Sequence, residues 1–206
     1  DVYNSQVYGG RLPEKVVSTV RLLRGKGASV IAIVVYGNRD YDDALLELID
    51  ILKKRNFNII GAGAFIGQHS IFPKVAASRP DKADMELLAE FGKECRRRLD
   101  DGMPYKDISV KGNFPYKTPA GVPFHPKCDS KKCKQCSTCA DKCPTGAIDR
   151  DNPIETDTTK CISCGRCINV CSRNARNFSG IKYSLIEKVF VAGFSKRKEP
   201  EWVIAD

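Results

Sequence analysis

The run Cys133-Lys134-Gln135-Cys136-Ser137-Thr138-Cys139-Ala140-Asp141-Lys142-Cys143-Pro144 recurs 28 residues further on as Cys161-Ile162-Ser163-Cys164-Gly165-Arg166-Cys167-Ile168-Asn169-Val170-Cys171-Ser172. All four cysteines keep that offset, and so do Ala147 and Ala175. Each run reads C-x2-C-x2-C-x3-C. Cysteines at intervals of three let one tight loop place thiolates on three corners of a cubane, with the loop's amides aimed at the sulfurs to offset their negative charge. The fourth corner has to come from elsewhere. Zinc needs four ligands, commonly two C-x2-C pairs, and eight cysteines in two identical runs exceed that need. The spacing therefore implies two [4Fe–4S] clusters.

Over about fifty residues, these motifs resemble the bacterial-type 2[4Fe–4S] ferredoxin family. In that pattern the fourth cysteine of each run ligates the other cluster. The resemblance thus implies one cluster on Cys133, Cys136, Cys139 and Cys171, and a second on Cys161, Cys164, Cys167 and Cys143. Ser172 stands where the family has proline, which bears on local geometry and not on ligation. Two cysteines fall outside the repeat. Cys95 sits on the apolar face of a predicted helix and reads as a core thiol. Cys128, five residues before Cys133, reads as a free thiol beside the module, with a spare ligand as the alternative. The opening residues Asp1-Val2-Tyr3-Asn4 have no signal-peptide character, so metal binding in a cytoplasmic setting is expected over disulfides.

Outward from the cysteines, residues 1–102 alternate strand and helix. Val2–Gln6, the apolar run Ser29–Val35 and Asn58–Ala64 read as strands, the second buried on both faces. Helices are predicted from Pro13 with Val16, Val17, Val20 and Leu23 on one face, and over Tyr41–Arg55 with Leu45, Leu48, Ile49 and Leu52 inward. A third runs over Lys82–Leu99 with Met85, Leu88, Phe91 and Cys95 in register. The β-α-β-α-β-α order predicts an α/β domain with a parallel sheet. Residues 103–126, with Pro104, Pro115, Pro119, Pro123 and Pro126, read as a linker or lid. Residues 127–180 form a small α+β cluster-binding domain. In 181–206 a helix over Tyr183–Phe194 precedes a basic turn and a short tail.

Two segments follow the first two strands, where open α/β sheets bind ligands. One is Val7-Tyr8-Gly9-Gly10 and the other Tyr36-Gly37-Asn38 with Tyr41; both join glycine, for close backbone approach, to tyrosine, for stacking. They are similar to the isoalloxazine-contacting loops of the flavodoxin family, and with the cysteine module the chain resembles the flavodoxin–ferredoxin fusions of anaerobes. That resemblance implies a flavodoxin-like domain binding FMN through Val7, Tyr8, Gly9, Gly10, Tyr36, Gly37, Asn38 and Tyr41. The family's phosphate loop and first two strands have no counterpart here, so Val2–Gln6 is expected to be an open edge, covered by an upstream segment or by another chain. His69 reads as a structural residue ahead of a catalytic acid.

Net charge is +9. A [4Fe–4S] core on four thiolates carries roughly −2, so two would bring the total to about +5, and the excess base requires no nucleic-acid partner. The Arg96-Arg97-Arg98 run reads as a solvated helix face. No stretch approaches the ~18 apolar residues of a membrane span. The chain shows no Ser-His-Asp set, no paired catalytic carboxylates and no GxGxxG fingerprint. The expectation is an electron carrier serving a redox partner protein or a small-molecule acceptor, with a homo-oligomer as one possible state. A flavin-dependent reductase, or a sensing or structural cluster module, are the competing readings.

Overall fold

The computed structural model describes every residue except Ala120. In chain order the elements are β1 (Val2–Gln6), α1 (Glu14–Val20), β2 (Ser29–Tyr36), α2 (Ala44–Lys54), β3 (Asn58–Ile66), α3 (Lys82–Asp101), β4 (Lys127–Cys128), α4 (Thr138–Asp141), α5 (Arg166–Asn169), β5 (Arg176–Asn177), α6 (Ile181–Phe194) and β6 (Glu201–Ile204). They fall into two compact units. The first joins Asp1–His69, Lys74–Ala120 and Phe194–Asp206; the second joins Ser70–Pro73 and Gly121–Gly193.

In the first unit β1, β2 and β3 are parallel neighbours. Strand β2 alternates as its pleat requires. Val30, Ala32, Val34 and Tyr36 are buried with Leu45, Leu48, Ile49 and Leu52 of α2, while Ile31 and Ile33 pack with Phe65, Phe91 and Cys95. Each fully buried aliphatic side chain stabilises by about 1.5–3 kcal/mol relative to exposure, so α2, with four of them on one face, is the principal clamp on the sheet. On the opposite face α3 approaches β3 closely because Gly61 has no side chain; a Cβ there would lie 2.6 Å from Cys95 Sγ. Cys95 is thus the expected core thiol, and burial pushes it up to about 11.

Four expectations need correction here. The sheet is mixed, because β6 pairs antiparallel with β3 and completes the order β1-β2-β3-β6. The tail that forms it, Glu201–Ile204, is too short to show a period, and its strand state depends on β3's free edge. Met85 is 51 % exposed; α3 meets the sheet only from Leu88 onward, through Phe91 and Cys95. The second strand is fully buried on one face only, its alternate residues being partly exposed. The proline-rich stretch is packed rather than loose. Ile108 is buried in the core of the first unit, and the Asp43 carboxylate accepts N–H bonds from Asn113 at 2.8 Å and Lys117 at 2.7 Å.

Strand β1 is an edge, paired with β2 alone among the described residues. No described helix is long and apolar enough to cross a membrane.

The second unit has little regular structure. Its two-stranded ladder pairs β4 with β5, Cys128 opposite Arg176. An aromatic cluster anchors α6 within the unit: Phe72 lies 4.5 Å from Phe190 and 5.6 Å from Tyr183, centroid to centroid. The Tyr183 hydroxyl also donates to the Ile71 carbonyl at 2.8 Å.

Candidate metal centre

The 28-residue repeat reappears as backbone geometry. Gln135 and Ser163, Ser137 and Gly165, and Gly146 and Asn174 are offset pairs, and all six hold positive φ. Left-handed residues inside short loops turn successive amides inward, the arrangement that makes anion-binding concavities. Those amides meet sulfur in matched pairs. Gln135 N–H donates to Cys133 Sγ and Ser163 N–H to Cys161 Sγ, both at 3.4 Å. Ala147 N–H donates to Cys143 Sγ and Ala175 N–H to Cys171 Sγ, both at 3.3 Å.

Two cavities result. One is lined by Cys133, Cys136 and Cys139 of the first run together with Cys171 of the second. The other is lined by Cys161, Cys164 and Cys167 together with Cys143. The short helices α4 and α5 carry Cys139 and Cys167 into their cavities. The sulfurs ring a space and do not meet at a point: among the described residues no group of three or more His, Cys, Asp or Glu side chains is placed to hold a single ion. A thiolate-lined cavity with inward amides fits a polynuclear cluster, which bridges its corners with its own sulfides, better than one tetrahedral ion.

Residues 125–172 match the family model of the 4Fe-4S dicluster domain. No curated protein matches the chain. This part of the chain is therefore an iron–sulfur cluster-binding domain.

The dicluster domain prepares its thiols unequally. Cys143 and Cys171 are opposed by burial, but N–H bonds from Thr145 and Ala147, and from Ala175 and Arg173, outweigh it and hold both below the ordinary thiol range. Both fourth-position sulfurs are thereby biased toward the thiolate that metal binding requires. Cys136 is lowered chiefly by the Thr138 hydroxyl. Burial raises Cys164, and raises Cys167 to about 11 against the opposing charge of Arg176.

Sequence reading missed three features of the dicluster domain. Cys128 lines the first cavity itself and its thiol hydrogen-bonds Cys133. His125 meets Ser163 Oγ at 3.3 Å through Nδ1. Arg176 is buried against the first cavity. Its signal was present, since the repeat places Arg176 opposite Ile148, a charge where the other half has an alkyl group.

Three of the flavin-contact expectations need correction. Tyr36 and Tyr41 are buried in the core and meet edge to face at 5.4 Å, and the Tyr41 hydroxyl donates to Glu201 at 2.7 Å. Asn38 is buried and pins the tail, donating to the carbonyls of Phe194 and Lys196 and accepting from Lys198 N–H. The chain's own tail therefore occupies Asn38 and the Tyr41 hydroxyl, two of the groups expected to meet a ring. Gly37 is filled too: a Cβ there would lie 2.6 Å from the His69 ring. A Cβ at Gly10 would likewise run into the Asp42 carboxylate. Val7 N–H is bonded to the Val35 carbonyl, and Tyr8, Gly9, Gly10 and Arg11 close a tight turn through two Tyr8–Arg11 bonds.

His69 is pushed down to about 4, by burial first and then by Arg39. It is a neutral ring at pH 7 and no ready proton donor. Because the folded value lies below the ordinary 6.5, its contribution is fully present above 6.5. It is lost as pH falls toward 4, in all about 3 kcal/mol. An NMR titration of the ring should place its midpoint near 4 in the folded protein; a midpoint in the ordinary range would show that the ring is not held against Gly37.

Proposed function

We propose that the chain is an electron-transfer protein carrying two [4Fe–4S] clusters. One is held by Cys133, Cys136, Cys139 and Cys171, the other by Cys161, Cys164, Cys167 and Cys143. The observation that carries this reading is the lining of the two cavities: each takes three cysteines from one run and the fourth from the other. Bound clusters would supply one-electron redox chemistry. The chain's own residues supply the rest: eight sulfurs at fixed positions and amides to offset their charge. Crossing the fourth ligand ties the halves together and brings the two sites close. Ten free thiols suit a reducing compartment such as the cytoplasm, and a redox protein or a small acceptor would take the electrons.

Anaerobic purification with iron and sulfide quantitation tests the reading. About eight irons and eight sulfides per chain, reducible and giving low-temperature EPR signals, are expected from two four-iron clusters. Zinc in place of iron would end the proposal, and clusters that no reductant can reduce would leave only a structural or sensing role.

A flavin completing a fusion-type relay is a second reading. The parallel order β1-β2-β3, with glycine turns at the carboxyl ends of β1 and β2, favours it. With Tyr36 buried, and Asn38 and Tyr41 engaged by the tail, it rests on Val7, Tyr8, Gly9 and Gly10. Flavin quantitation beside the iron decides it. One FMN per chain would support a flavodoxin-like role for the first unit, and turnover of a small acceptor without a partner would make the protein a reductase. No flavin would leave a two-cluster carrier.

A further inference from the structure

The repeat that builds the two cavities is broken in its charges. At matching positions the first cavity has Lys134, Arg173 and Arg176 where the second has Ile162, Thr145 and Ile148. The only exchange in the other direction is Arg166, opposite Thr138. Neither cavity is lined by a carboxylate.

Arg176 is the decisive member: its side chain lines the first cavity and not the second, although its charge also reaches Cys167. It is 1 % exposed. Its guanidinium donates to Thr156 Oγ1 at 2.7 Å, to the Glu155 carbonyl at 3.2 Å and to the Pro153 carbonyl, all neutral acceptors. Its Nε has no partner, the one buried side-chain nitrogen or oxygen among the described residues in that state. A guanidinium cannot shed its proton, and a buried charge without a counter-charge is costly. A cluster of roughly −2 in the adjoining cavity supplies that counter-charge, and an acceptor sulfur would satisfy the free Nε.

We propose that the two clusters are inequivalent, and that the one at Cys133, Cys136, Cys139 and Cys171 has the higher potential because Arg176, with Lys134 and Arg173, stabilises its reduced form. The inference rests on the cluster reading above. Reduction adds a negative charge, and a fixed cation in a low-dielectric wall favours the more negative state. Solvent exposure acts in the same direction: Cys136 is exposed, whereas Cys167 is buried. An electron arriving at the Cys161, Cys164, Cys167 and Cys143 cluster therefore moves on. That cluster is oxidised, the other is reduced by the same one electron, and no bond changes.

Stepwise reduction of the holoprotein, followed by paramagnetic NMR of the cysteine β-protons, tests the order. At half reduction the electron should occupy the Cys133 cluster by at least tenfold, about 59 mV for a one-electron couple. Preferential reduction of the Cys161 cluster overturns the proposal. Arg176→Gln should lower the upper midpoint and narrow the gap, while Arg176→Lys, which keeps the charge, should preserve the order. An unmoved pair of midpoints in Arg176→Gln at full iron content also overturns it. Should that variant fail to fold, the wild-type measurement decides alone. Iron content, measured first, separates failure of this inference from failure of the cluster reading.

Discussion

Alanine at Cys171 will remove the cluster of the first run and spare that of the second. Cys171 belongs to the second run by sequence, yet it lines the cavity of Cys133, Cys136 and Cys139. Losing one of four thiolates costs that site a corner, and iron should fall from about eight toward about four per chain. Cys143→Ala should remove the other cluster. Paired substitutions separate crossed from uncrossed ligation without any structure. Cys139→Ala with Cys171→Ala strikes one cavity twice and should leave one cluster intact. Cys139→Ala with Cys143→Ala strikes both cavities and should leave none. Uncrossed ligation would reverse these results. Cys128 lines the first cavity and is a thiol within reach of a vacated corner, so the series is read in a Cys128→Ala background. Iron and sulfide counts with EPR of the reduced protein report the outcome, and a three-iron product at the damaged site still leaves the other cluster whole.

Asp84→Asn will produce the largest loss of stability in the first unit. The Arg79 guanidinium grips both oxygens of Asp84, and the two side chains are 6 % and 3 % exposed. Asp84 also accepts the Asp81 N–H at 2.8 Å, closing the capping box of α3, and Arg79 donates to the Lys198 carbonyl at 3.2 Å. The pair thus fixes the start of α3 and the tail that leads into β6. Removing one partner of a buried pair costs about 3–5 kcal/mol where the other charge is left alone, and here Asp81, 3.7 Å from Arg79 Nε, offsets part of that. With m values of about 1–3 kcal/mol per M, the urea midpoint should fall by roughly 1 M or more. Arg79→Met with Asp84→Leu should recover much of the loss, since an apolar replacement of both partners leaves no stranded charge. A single-variant loss below about 1 kcal/mol would mean that the Arg79–Asp84 pair is not what holds the tail.

The cluster-binding half was legible because its information is local. Ligand spacing is set by a few covalently linked residues, and a tight loop with amides facing sulfur has few alternatives. The crossed fourth ligand was legible only through the family pattern, and the two cavity linings are consistent with it. The first unit was legible where burial follows a helical period: Leu45, Leu48, Ile49 and Leu52 line the core as read, whereas β2, read as buried on both faces, alternates. Met85 failed because helical register says which residues share a face, not where a neighbour begins.

What the sequence by itself determined is therefore the duplicated cysteine unit and the β-α-β-α-β-α order, both products of short-range spacing. What only the tertiary structure decided is where distant segments return. A four-residue tail became a strand because β3 had an edge to offer. Asn38 and Tyr41 became anchors because that same tail reached them. Arg176 became a buried charge beside the first cavity because the ladder of β4 and β5 holds it there. The composition of the chain specifies which groups can pair, but only the closed fold determines which of them meet.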